Sequence, residues 1–83
     1  MIRKWINGYE LVKRWGIKTI DYLDHLKSGL LKPYSSLELI PQKQINYFIG
    51  RALRDLRVLE GRLSAESNKI YEWQYKREDI EEI

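Results

Sequence analysis

With 83 residues, the chain has room for one domain and one modest hydrophobic core. It is 43% hydrophobic and has no cysteine, which argues against a disordered tail and excludes a disulfide framework or a thiolate metal site. The net charge of +3 and pI near 9.2 lean toward anionic partners, well short of a histone-like excess.

The opening MIRKWINGYE lacks the apolar run of a signal peptide. No segment approaches the ~18 apolar residues of a membrane span, so a cytoplasmic protein is expected. Residues 1–7 alternate loosely around Ile2, Trp5 and Ile6 and read as an extended arm or edge strand. Asn7-Gly8 signals a turn, and Asn7 is placed to cap the next segment. A short helix is predicted over Tyr9–Trp15, with Leu11, Val12 and Trp15 on one stripe, ended by Gly16 as a C′ glycine. Ile17 pins the turn. Thr19, as N-cap or first residue, opens a second helix to about Ser28, with Ile20, Leu23 and Leu26 on its apolar face and Tyr22 beside them. Lys27 suits the negative end of the helix dipole, Gly29 stops the helix, and Leu30 and Leu31 return to the core before Pro33.

Residues 32–44 read as a connecting loop anchored by Leu37, Leu39 and Ile40. A long third helix is predicted over residues 42–65, with Pro41 in its first turn. Ile45, Ile49, Ala52, Leu56, Leu59 and Leu63 recur in steps of four and three, a heptad-type seam. Gly50 and Gly61 weaken this helix, while Arg51, Arg54, Arg57 and Arg62 lie off the seam. Its span, on the order of 35 Å at ~1.5 Å per residue, is long enough to project from the domain. The seam suits two arrangements: packing inside the protomer, or pairing with a second copy or a protein partner. Ser67-Asn68 breaks the pattern. Tyr71, Trp73 and Tyr75 then alternate as one aromatic face of a short strand, and KREDIEEI closes the chain as a short helix bearing Ile80 and Ile83. The fold class expected is mainly α, with a helix-turn-helix at 8–33, the long helix at 42–65, and a wing-like strand or hairpin and closing helix at 70–83. Such a module also suits a place within a longer protein.

Three stretches carry a family resemblance: Gly16-Ile17-Lys18, Gly29-Leu30-Leu31-Lys32-Pro33, and Arg77-Glu78-Asp79-Ile80-Glu81-Glu82-Ile83. Together they resemble the excisionase and MerR-like winged helix-turn-helix superfamily, with a long helix inserted at 35–70. The resemblance implies a small bacterial or phage type of DNA-binding module serving transcription regulation, with the second helix entering a groove. The positions where that family exposes Thr and Arg to DNA are here Asp21 and Asp24, which repel phosphates instead of neutralising them.

No catalytic, metal or cofactor site is expected. The chain has one histidine and no glycine-rich phosphate loop. His25 and Asp21 form an i, i+4 surface pair, and Glu78, Asp79, Glu81 and Glu82 suit a helix first turn. Most of Trp5, Trp15, Trp73, Tyr71 and Tyr75 are assigned to the core over a stacking platform for single strands. The first functional expectation is a weak, salt-dependent grip on double-stranded DNA. Lys18, Thr19 and Lys27 would be contacts on the second helix, and Arg3, Lys4, Lys13 and Arg14 would bind phosphates. The competing expectation is a dimerisation or protein-interaction module that has kept the fold without DNA binding, using the seam.

Overall fold

The computed structural model describes residues 4–81. A three-residue strand, β1 (Trp5–Asn7), runs straight into α1 (Gly8–Trp15), and Asn7 caps that helix by accepting from the Glu10 backbone N–H at 2.9 Å. Gly16 follows with φ of 64°, a left-handed conformation that lets its N–H and that of Ile17 reach back to the Val12 carbonyl. Helix α2 (Thr19–Ser28) starts two residues on and ends at Gly29 in the same left-handed manner.

Residues 32–44 are not simply a loop, as the sequence suggested. They hold a hairpin, β2 (Tyr34–Ser35) and β3 (Glu38–Leu39), turned by Ser36 and Leu37 with φ of 51° and 68°. Two positive angles in a two-residue loop match the twist of a tight hairpin, but glycine or asparagine usually supplies them. Ser-Leu carries no such signal, and strands of two residues leave no alternation to read. With a fourth strand, β4 (Gln74–Lys76), the sheet is antiparallel in the order β1-β4-β2-β3.

Strand β4 (Gln74–Lys76) therefore sits between β1 and β2, with Ile6 opposite Tyr75 and Tyr34 opposite Gln74. It is a central strand, not a wing, and it is shorter than expected. Tyr71 belongs instead to a 3-10 turn, Ser67–Tyr71, although Tyr71, Trp73 and Tyr75 are all buried as the aromatic alternation implied. Helix α4 (Arg77–Glu81) closes the described chain.

Helix α3 (Gln42–Val58) is also shorter than its apolar pattern. After Leu59, both Glu60 and Gly61 have positive φ, and the Gly61 N–H closes back on the Leu56 carbonyl at 2.8 Å. The reversal lets Leu63 continue the apolar contacts from outside the helix. The seam itself is consumed within the protomer: Ile45, Ile49 and Ala52 are buried, and Leu56 and Leu63 pack half-buried against the same core. Leu59 is half-buried beyond the helix end. A dimer zipped along this seam would have to unpack that core.

Asp55 holds the returning segment to α3. Its carboxylate accepts from the Ser67 hydroxyl at 2.6 Å and the Ser64 N–H at 3.1 Å, and these bonds hold its pKa at about 2, below the ordinary 3.8. A folded-state pKa depressed in this way contributes stability above the unfolded value, which is lost as pH falls through the folded one. Wild type should therefore lose stability relative to Asp55→Asn between about pH 4 and pH 2, measured by urea unfolding across that range. A difference between the two proteins that does not change with pH there would rule out the clamp.

The core is centred on three tyrosines. Tyr22 stacks on Tyr71 with ring centroids 5.2 Å apart, and its hydroxyl donates to the Ile70 carbonyl at 2.7 Å. That bond uses its one proton, so the Tyr75 hydroxyl donates to Tyr22 in turn. Burial raises the pKa of both phenols above the ordinary 10 and keeps them neutral. Phe48 packs edge-on to Trp73 at 5.5 Å, which joins α3 to the approach to β4.

Candidate nucleic-acid interface

Helix α2 lies on the core through Tyr22, Leu23 and Leu26, all buried. Ile20, expected on the same face, is 46% exposed. The large Tyr22 ring and its hydrogen-bonded hydroxyl set the helix rotation, which carries Ile20 to the shoulder. At about 100° per residue, Asp21, Asp24 and Ser28 fall opposite the buried side, and Lys27 lies on the shoulder with Ile20. All of these are exposed.

The centre of the outward flank is thus acidic. One of its two carboxylates has a local task, since Asp21 accepts from the Lys18 backbone N–H at 3.3 Å and caps the start of α2. No other described residue hydrogen-bonds Asp24. His25 is half-buried and meets the edge of Trp15, with ring centroids 5.8 Å apart, so its ring is directed toward α1.

The expected DNA contacts distribute unevenly. Lys13 and Arg14 are exposed in the last turn of α1, and Lys18 is exposed at the end of the following turn, so three cations stand near the leading end of α2. Lys27 is exposed some 13 Å further along at ~1.5 Å per residue, beyond both aspartates. Thr19 is half-buried, and its hydroxyl is bonded to the Tyr71 hydroxyl at 2.6 Å. That bond ties α2 to the 3-10 turn and gives Thr19 a structural task. Lys4 is exposed beside β1, where its carbonyl accepts from the Arg77 N–H at 2.9 Å. Arg3 lies outside the described residues.

A second cationic surface is carried by α3, on the side away from its buried seam. Lys43, Arg54 and Arg57 are exposed there, and Arg51 is half-buried at the margin. Sequence reasoning placed the arginines off the seam, as phosphate contacts if the fold gathered them on one side with the other cations, and passed over Lys43. The signal was present, because any helix with a clean apolar stripe has a complementary stripe half a turn away.

Among the described residues no three His, Cys, Asp or Glu side chains converge as a metal site, and no helix is long and apolar enough to cross a membrane. No family model, curated protein or solved structure matches the chain.

Proposed function

We propose that the chain is a small DNA-binding module of regulatory type, working in the cytoplasm without catalytic activity, on a scaffold of the winged helix-turn-helix kind. One observation carries the reading. Helix α2 follows α1 after a glycine turn and holds the core by one side only, leaving its outward flank free, with Lys13, Arg14 and Lys18 at its leading end. The β2–β3 hairpin comes next in the chain, where a wing would follow. With two aspartates on that flank, base readout by α2 is restricted to contacts such as a carboxylate accepting from cytosine N4. Most of the affinity then comes from phosphates, and binding is weak and steeply salt-dependent.

Fluorescence anisotropy with a labelled duplex tests this. Binding is expected at low ionic strength, with log K falling linearly as log salt rises. No binding at low salt, or binding indifferent to salt, would end the proposal.

Asp21 and Asp24 also favour a second reading, in which the same flank docks a basic protein segment. Under it, Asp24→Lys would abolish partner binding, whereas under the DNA reading the same change strengthens the duplex complex by removing repulsion.

A further inference from the structure

We infer that the outer face of α3 is a phosphate-binding surface that supplies most of the grip on duplex DNA. The inference rests on the DNA-binding reading and relocates its main contact from α2 to α3. Lys43, Tyr47, Gly50 and Arg54 follow one another in steps of four, three and four, so they lie along a single line of the helix. Arg57 extends that line by one turn, making a track of about 21 Å at ~1.5 Å per residue. The opposite side is the buried line of Ile45, Ile49 and Ala52, which fixes the orientation of the track toward solvent.

Its outward line is cationic, with Glu66 facing Arg51 at the margin. The single acid of α3, Asp55, is half-buried and engaged by Ser64 and Ser67. Lys43, Arg54 and Arg57 hold no hydrogen bond or ion pair with another described residue. On α2, by contrast, two aspartates occupy the outward centre. A polyanion meeting this molecule is attracted along the first surface, but on the second only at its leading end, away from the aspartates.

Two further features point to a duplex backbone in particular. Tyr47 is 55% exposed, and Arg51 donates from Nη1 to its hydroxyl at 3.2 Å while its guanidinium lies 5.9 Å from the ring centroid. The contact orders an aromatic hydroxyl and a guanidinium side by side, both groups that hydrogen-bond phosphate oxygens. Gly50 lies at the middle of the track. A Cβ there would meet nothing within 4 Å, so no neighbour inside the protomer requires its absence, although glycine weakens a helix interior. A bare backbone flanked by cations instead suits close approach of a sugar-phosphate strand. Recognition of this kind is independent of base sequence.

The test uses the full chain and a labelled mixed-sequence duplex at low salt, with thermal melts of every variant. Arg54→Glu with Arg57→Glu is expected to weaken binding about tenfold or more and to lower the salt slope by about 1.8, at ~0.9 for each phosphate no longer neutralised, with no loss of thermal stability. Gly50→Gln is expected to weaken binding while melting no lower than wild type. Lys18→Glu with Lys27→Glu should have the smaller effect. If wild type binds the duplex and the α3 variants bind as tightly, the inference is overturned and the DNA reading survives with α2 as its contact. If wild type fails to bind the duplex, or binds only vesicles of anionic lipid, the DNA reading falls and takes this assignment with it.

Discussion

Ile49→Ala is expected to destabilise the protein by about 2–5 kcal/mol, among the largest effects of any single truncation in this chain. Ile49 is 5% exposed, lies between Ile45 and Ala52 on the inner line of α3, and belongs to the one core shared by α1, α2 and β4. Removing three carbons leaves a cavity in a core whose tyrosine hydroxyls are already committed and so have little freedom to shift. A domain of this size has about 5–15 kcal/mol in total and sits toward the low end, so the variant approaches global unfolding. Leu56→Lys reports on the same question from the edge of the core. Because Leu56 packs within the protomer, the variant should lower the urea midpoint with the protein sedimenting as wild type does. A variant of unchanged stability that sediments as a smaller species would restore the seam as an intermolecular zipper.

Gly8→Ala is expected to destabilise by about 1–3 kcal/mol, although alanine is much the better helix former. A Cβ at Gly8 would sit 2.6 Å from the Tyr22 hydroxyl and 2.9 Å from the Tyr71 Cα. Neither neighbour gives way cheaply. The hydroxyl is held by the Ile70 carbonyl and Tyr75, and the other contact is backbone. The Gly8 N–H also donates to the Trp73 carbonyl at 3.1 Å, which fixes the start of α1 against the segment entering β4. Gly50→Ala should act with the opposite sign, stabilising by about 0.5–1 kcal/mol, since its Cβ meets open space and only the helix preference remains. Parallel thermal melts of the two variants check both signs. Equal shifts in one direction would mean that helix preference alone, and not close packing, decides the effect at Gly8.

Much of the helical half of the molecule was legible from neighbours in sequence. Asn7 caps α1, Gly16 and Gly29 end α1 and α2, and α2 spans Thr19–Ser28 as its pattern implied. The aromatic residues near the end of the chain are buried, as their alternation suggested. Errors came where a local pattern had more than one spatial solution. The apolar repeat of residues 45–63 crosses the end of a helix, because Glu60 and Gly61 turn the chain while Leu63 still finds the core. The hairpin at 34–39 has a Ser-Leu turn that no propensity rule favours. Its pairing with β4, some forty positions away, is a long-range choice. Thr19 resembled a groove contact until the Tyr71 hydroxyl took up its oxygen, 52 positions further along.

By itself, then, the amino-acid order settled those features that depend on contacts within a few residues: the starts and stops of α1 and α2, the apolar side of α3, and the absence of thiol chemistry. Hydrogen bonds to an adjacent turn and the conformational freedom of glycine act at that range. The tertiary structure alone decided that the α3 seam faces inward and its cations outward. It also decided that the acids of α2 lie at the centre of its free flank, and that β4 joins an N-terminal strand to the hairpin. A helix can turn its stripe toward its own core or toward another chain at similar local cost. In this fold the inward side of α3 meets the core formed by distant segments, with Phe48 packed on Trp73.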